Sequence, residues 1–349
     1  MDRSFIESSL EKETSRPSLA RDKVQQGDEA LELSLRPQSL AEFTGQNAVR
    51  ERLEVMIGAA KLRSDPLGHC LFSGPPGLGK TTLANILAKA MGTNIVVTSG
   101  AVIEKPGDLA GILTHLKTGD ILFIDELHRL NRTAEEYLYP AMEDFILDIM
   151  LDSGPSARSV QVKLNQFTLV GATTRTGLLS GPLRSRFLFT CRLNYYEPEL
   201  IAKILERNGK ILNIQIDPEA ALEIARRARG TPRIAINLLK WARDYAQMHS
   251  SSQIDIQVAD KALNMLAIDS IGLDEMDKRI LQVMRDHYKG GPVGVNSIAI
   301  AVGEERETIE EVYEPYLIMQ GFLKRTPRGR ELTDLAYTHM DRMENRICG

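Results

Sequence analysis

Nine residues, "GPPGLGKTT" at 74–82, bring glycines, a lysine and two hydroxyls into a spacing suited to phosphate. Glycines let backbone N–H groups approach phosphate oxygens, and a helix starting at the lysine adds partial positive charge at its N-terminus. In such a loop Gly77 and Gly79 belong to the cradle and Lys80 reaches the β- and γ-phosphates. Thr81 offers its hydroxyl to Mg²⁺, and Thr82 completes the nucleotide-binding run. Downstream, the apolar run of "ILFIDELHRL" ends in Asp125 and Glu126. Asp125 can hold the metal, and Glu126 can orient or deprotonate a water. That pairing favours hydrolysis of a nucleoside triphosphate over transfer to an organic acceptor.

Other residues are less committed. Thr173 and Thr174 close the apolar run of "FTLVGATTR". A hydroxyl there could contact the γ-phosphate or the water, or the pair could be a turn that satisfies its own backbone. Arg184 and Arg186 in "GPLRSRF" and Arg233 in "GTPR" would be unremarkable as solvated charges. Arginine also stabilises the charge that develops in phosphoryl transfer, and a neighbouring subunit can supply it. His128 follows Glu126 closely but reads as a surface or hydrogen-bonded residue, and no role is assigned to it.

The elements that must position these residues follow from patterning. Short apolar runs ("HCLFSG", "NIVVTSG", "DILFIDELHRL", "FTLVGATTR") alternate with amphipathic segments, which predicts a parallel sheet covered on both faces over 34–195. Within it, alternating residues around "DSGPSA" predict a β-hairpin at 146–164. Past "YYEP" the strand pattern stops, and amphipathic stretches beginning at Asp217-Pro218 and Thr231-Pro232 predict a small helical domain over 196–268. Over 269–349, three helical stretches followed by "GFLKRTPRGRELT" predict a winged helix. Residues 1–33 are polar and aperiodic and are expected to form a mobile tail.

Composition limits the partners. A formal net charge of −4 excludes a chain that is basic throughout, so nucleic acid must meet a local patch. The basic cluster "KRTPRGR", with Lys324, Arg325, Arg328 and Arg330, spans a Pro/Gly turn at the tip of the expected wing. Cys70, Cys191 and Cys348 lack the spacing of a zinc site and read as reduced thiols. No apolar stretch is long enough to cross a bilayer and no secretion signal is apparent, so the expected location is cytoplasmic, without a membrane partner.

"GPPGLGKTT", "LFIDELHRL", "GATTRTGLLSGPLRSRF" and "RARGTPRIA" stand in the order found in AAA+ ATPases. With "LRPQSLAEFTGQ", "LYPAMEDF", "SGPSARSV", "GGPVG" and "GEERETIEEVYEPYLIMQGFLKRTPRGR", nearly everything after residue 33 resembles the bacterial Holliday-junction branch-migration ATPases. The resemblance implies an α/β P-loop AAA+ domain with an inserted hairpin, a helical lid and a C-terminal winged helix. It implies that Leu35, Arg36 and Tyr196 line the ATP pocket, with Glu143, Asp144 and Phe145 near a nucleotide. Thr174 resembles the first sensor, Arg233 the second, and Arg186 the finger entering the adjacent subunit's site. The hairpin, with Ile149 and Leu151, resembles a docking surface for a RuvA-like junction-binding protein. Arg325 and Arg330, with Arg328 between them, resemble phosphate-binding residues of the winged helix. The implied assembly is a hexameric ring acting on duplex DNA at four-way junctions, with ATP and Mg²⁺ and a RuvC-like resolvase, in recombination, repair and the SOS response.

Two departures from the family pattern stand out: Leu188 where glycine is usual, and Ile236 where asparagine is common. Two other classes share part of the pattern. A clamp-loader or helicase-loader subunit would hydrolyse ATP once per loading event, and the C-terminal winged helix and inserted hairpin argue against it. An ATP-switched transcription regulator would use the winged helix to read an operator, and base-specific binding would mark it.

Overall fold

A computed structural model describes residues 34–150, 159–249 and 253–347. The expected tail at 1–33 and the hairpin tip, with Leu151 and "DSGPSA", lie outside them. The chain forms two compact units, one up to Tyr195 and the other from Tyr196.

The first unit is built on five parallel strands in the order β2-β3-β6-β1-β7. These are β1 (Cys70–Ser73), β2 (Ile95–Ser99), β3 (Ile121–Asp125), β6 (Thr168–Thr173) and β7 (Phe189–Arg192). Around them run α1 (Asn47–Arg63), α2 (Lys80–Met91), α3 (Pro106–His115), α4 (Arg132–Glu143) and α5 (Gly181–Ser185). Successive strand residues point to opposite faces, yet Ile121, Leu122, Phe123 and Ile124 are all buried, as is every residue of β1 and β6. Both faces of the sheet are therefore covered, as the continuous apolar runs require. Register places Ser73 opposite Thr173 and Ser99 opposite Asp125, so the carboxyl ends of the central strands share one edge.

The expected hairpin is present as β4 (Ile146–Met150) paired antiparallel with β5 (Ser159–Lys163), and Ile149 stands opposite Val160 in its ladder. Its root belongs to the domain's own core: Leu147 is fully buried beside Leu164 and Phe167, while Val160 is exposed. Cys70 and Cys191 are buried free thiols, which agrees with their reading as reduced; burial pushes both thiols up, Cys191 to about 12.

The second unit begins with α6 (Pro198–Ile211), α7 (Pro218–Arg227), α8 (Pro232–Met248) and α9 (Ile256–Met265). Pro218 and Pro232 occupy first helical positions, where their missing N–H has no helical partner to lose. One element was not expected from the sequence. A two-residue parallel pair, β8 (Gln215–Ile216) with β9 (Gln253–Ile254), ties the lid together and is too short to leave a periodic signal. The chain continues through α10 (Glu275–Tyr288), α11 (Val295–Val302) and a third helical stretch. That stretch comprises α12 (Arg306–Thr308), a π-helical turn (Ile309–Tyr313) and α13 (Glu314–Met319). Pro315 has no N–H to return to the preceding turn, and the Glu314 N–H reaches Ile309 O as the helix widens. The hairpin β10 (Leu323–Thr326) and β11 (Gly329–Leu332) forms the wing, and α14 (Asp334–Ile347) follows. Val293 makes an isolated antiparallel bridge to Arg330, tying the connection before α11 to the two-stranded wing.

Candidate nucleotide site and wing

The loop at 74–80 leaves β1 where the sheet is anchored by main chain: Gly74 N–H donates to Thr173 O at 3.2 Å, and Leu193 N–H to Ser73 O at 2.8 Å. Two glycines there are dictated by space. A side chain on Gly74 would stand 2.4 Å from Leu193 O, and one on Gly79 would meet the Phe43 ring at 3.0 Å, both at positive φ. The Phe43 contact was not anticipated, since nothing in the sequence connects a phenylalanine to a loop more than thirty residues away. Lys80 is buried, and its Nζ donates to Gly74 O and Pro75 O at 2.8 Å each. Thr81 and Thr82 follow Lys80 in the first turn of α2, half-buried. Leu35 is buried and Arg36 half-buried in the same unit.

Asp125 ends β3 at the same carboxyl edge of the sheet; its Oδ1 accepts the Glu126 N–H at 2.9 Å. Glu126 turns at φ 47, and its Oε2 accepts from Arg129 Nη1 at 3.0 Å. Both side chains are largely solvent-exposed, so the pair is weak and the carboxylate can be given up to another partner. The two threonines separate cleanly. Thr173 is buried, lies 3.0 Å from His128 Nδ1 and accepts the Arg175 N–H at 3.0 Å. Thr174, one residue beyond β6, is exposed with no hydrogen bond among the described residues. His128 is thus a hydrogen-bonded residue holding Thr173.

Arg186 caps the end of α5 and folds back on its own subunit. Its guanidinium lies 4.4 Å from the Tyr139 ring centroid and donates to Pro182 O at 2.7 Å and to Glu143 Oε2 at 3.1 Å. Its Nε is buried without a hydrogen-bond partner among the described residues. Tyr139 is held by Glu135 and Ser180. Asp144 caps α4, and Phe145, at φ 54, sets its ring edge-on 5.9 Å from Phe167, half-buried in the core. Leu188 is exposed, with its side chain lying over Gly68.

In the second unit Arg233 is exposed at the second position of α8, and the buried Tyr196 donates its N–H to Gly230 O at 2.9 Å. Ile236 is half-buried on the same helix.

The wing holds its basic residues differently from a free positive loop. Lys324 pairs with Glu331 at 2.9 Å, and Arg325 and Arg330 face each other across the hairpin. Both arginines converge on Glu314, Arg325 at 2.6 Å and Arg330 at 3.0 Å, and Arg330 adds Glu310 at 2.9 Å. Glu314 is nearly inaccessible, 1% exposed. Burial alone would push its carboxyl up, but hydrogen bonds from Arg325 and Arg330 outweigh that and hold it below the usual carboxylate range. Arg328 occupies the turn, exposed and without an ion pair among the described residues. Beside it a cleft of about 340 Å³ is lined by Arg306, Arg328, Arg330 and the start of α11.

Two different outcomes follow for neighbouring arginines. Arg330→Ala is expected to destabilise the wing by roughly 1–3 kcal/mol, because it removes one of the two cations on a buried carboxylate and leaves Arg325 to hold it alone. Arg328→Ala should leave stability unchanged and lower the salt slope of duplex binding by about 1. Thermal unfolding and salt titrations check both; equal stability losses would contradict the Glu314 arrangement. Because its folded pKa is depressed, Glu314 contributes stability above the ordinary carboxylate range, which is lost as pH falls through the folded value.

A parallel sheet with a phosphate loop leaving β1 and an Asp-Glu pair leaving β3, followed by a helical lid and a winged helix, defines a P-loop protein of the AAA+ class. Three family models match in sequence: the Holliday junction DNA helicase RuvB P-loop domain over 35–193, the RuvB AAA lid domain over 196–269, and the RuvB C-terminal winged helix domain over 270–341. The Holliday junction branch migration complex subunit RuvB of Protochlamydia amoebophila is 65% identical over 97% of this chain and 98% of its own length. The subunit of the same name from Flavobacterium psychrophilum is 57% identical over 91% and 94%. A solved structure, the Thermotoga maritima RuvB Holliday junction branch migration motor, superposes with a TM-score of 0.81 at 49% identity, covering 88% of this chain and 98% of that one. The chain belongs to the RuvB family of branch-migration proteins.

Proposed function

We propose that this chain is an ATP-driven motor that pumps duplex DNA to move Holliday junctions, working with a RuvA-like junction-binding protein in recombination and DNA repair. The observation that carries the reading is one phosphate-loop domain with Asp125, Glu126 and Arg186, continuing into a lid and a winged helix in the RuvB order. The domains are taken as 34–195 for ATP hydrolysis, 196–268 for the lid and 269–349 for DNA. The reaction is hydrolysis of ATP by water in a cytoplasmic hexameric ring, linked to a RuvC-like resolvase and to the SOS response.

The residues present fit Mg·ATP. Thr81 Oγ1 makes no hydrogen bond among the described residues, and Asp125 engages only Oδ1, leaving both able to hold the ion. Mg²⁺ commonly takes one or two carboxylates plus substrate phosphates, so a full protein cage is not required. When bound there, it neutralises phosphate charge. Lys80 exchanges the Gly74 and Pro75 carbonyls for phosphate oxygens, and Glu126 exchanges Arg129 for the attacking water, which it orients and from which it takes a proton. Thr174 presents its hydroxyl to the γ-phosphate or that water. Arg186 leaves Glu143 to complete the adjacent subunit's site, and Arg233 senses the nucleotide from the lid.

The deciding test is dissociation of a synthetic four-way junction by the purified chain with ATP, Mg²⁺ and RuvA. Inactivity with a verified partner would overturn the motor reading, and binding confined to one DNA sequence would favour an operator-binding regulator. For the hairpin, replacing "DSGPSA" together with Ile149 is expected to abolish RuvA-dependent stimulation and spare intrinsic ATPase activity. The burial of Leu147 at the ribbon's root makes the substitution site matter, because changes there would reach the core. Unfolding of the tip variant would instead assign the outer ribbon to the domain's own packing.

A further inference from the structure

Between α7 and α8 the chain reverses through Arg229 and Gly230, both left-handed, at φ 55 and φ 66. Glycine or asparagine is the usual choice for such a conformation, and an arginine there points to a use for the side chain. That side chain is 11% exposed and is fully committed to the segment that opens the winged helix. Its Nε donates to Gly272 O at 2.7 Å, and its Nη2 reaches Asp274 Oδ2 at 2.8 Å and also pairs with the buried Asp277. Its guanidinium lies 5.0 Å from the centroid of the Tyr316 ring, on α13 of the winged helix, and the Tyr316 hydroxyl donates to Ile271 O.

The same segment is fixed from the lid side. Arg227 is buried and donates to Glu223, Asn264 and Ile268 O at 2.8, 3.1 and 3.2 Å, joining α7 to the end of α9 and to the connection that follows. A side chain on Gly272 would stand 2.7 Å from Arg227 O, so the two backbones are in close contact. Asp274 and Asp277 also form the N-terminal capping box of α10, so the groups that start the first wing helix are those that hold Arg229.

Arg229 stands four residues before Arg233 in one loop-to-helix turn, and Gly230 O receives the Tyr196 N–H. We infer that Arg229 is a positioning residue that couples nucleotide state, felt through Arg233 at the start of α8 and through Tyr196 on the Gly230 carbonyl, to the orientation of the DNA-gripping winged helix. The coupling is a buried ion-pair joint in place of a flexible linker. The inference rests on the motor reading, because it presumes that ATP and DNA act on the same chain.

The test measures coupling itself. In the full chain, the affinity for a labelled duplex of arbitrary sequence is compared with ADP and with a non-hydrolysable ATP analogue. Coupling between two ligands is reciprocal and typically amounts to about 5–150-fold. Arg229→Met keeps the buried length and removes the charge. It is expected to retain ATP binding and basal ATPase activity while the nucleotide-dependent difference in DNA affinity collapses to less than about twofold, with junction dissociation falling in parallel. Arg229→Lys should restore part of the difference, since a point charge can satisfy one of the two carboxylates. If Arg229→Met fails to fold, Asp274→Asn, at a half-exposed partner, should reduce the difference several-fold, and an unchanged difference there overturns the inference. A folded Arg229→Met protein with wild-type coupling, or one that loses basal ATPase activity together with coupling, overturns it too. Wild-type protein lacking any nucleotide-dependent difference would count against the motor reading, a result distinguishable from failure of the joint.

Discussion

Glu126→Gln is expected to lower ATP turnover by roughly 10²–10⁴-fold, the range over which a positioned general base accelerates proton transfer. ATP affinity should stay close to wild type, because Lys80 and the loop backbone, which do the holding, are untouched. The amide is nearly isosteric and its oxygen can still accept from Arg129, so the turn at φ 47 has no reason to change. What is lost is the capacity to take a proton from water. Single-turnover hydrolysis set beside equilibrium nucleotide binding separates the two effects; persistent turnover would remove Glu126 from the mechanism.

Arg186→Ala is expected to reduce turnover in the assembled ring by about 10³-fold or more, the scale on which an arginine finger acts. A folding defect is not the anticipated cause. Glu143 is half-exposed, and an ion pair of that kind contributes little to stability. Mixing supplies the sharper result. Arg186→Ala subunits keep an intact phosphate loop and Lys80→Ala subunits an intact finger, so mixed rings should recover part of the activity that neither variant has alone. Mixed rings that form and stay inactive would assign Arg186 to its own subunit or to no catalytic role.

What could be read from the sequence, and what could not, divides by distance along the chain. The phosphate loop, the Asp125-Glu126 pair, the hairpin strands and the winged helix are each written in local spacing or periodicity, and the structure has all of them. Helix starts at Pro218 and Pro232 are equally local. The pairings that qualify those residues are not. Arg186 meets Glu143 at a separation of 43 residues, and Arg229 meets Asp277 at 48. No motif marks such partners; only the folded chain brings them together. Glu314 is the clearest example. In "GEERETIEEVYEP" it is one acid among several, and its burial under the wing alone distinguishes it from its neighbours. The basic cluster expected at the wing tip is uneven in the structure: Lys324, Arg325 and Arg330 are paired within their own domain, and Arg328 has no ion pair among the described residues.

That pairing bears on how a motor lets go of its track. A cation surrounded only by water would gain most of its attraction afresh at every phosphate and would resist each release. An arginine already seated on a carboxylate gains only the difference between two anionic partners when a phosphate arrives, and recovers its first partner when the phosphate leaves. Arg325, the more exposed of the two, can make that exchange while Arg330 stays on Glu314, and the drag on sliding would then be set by the difference between the two anionic partners. On the proposed reading that Arg325 and Arg330 grip phosphates, Glu310 and Glu314 would act as a lubricant beneath the wing, and a chain lacking them is expected to bind more tightly and travel less.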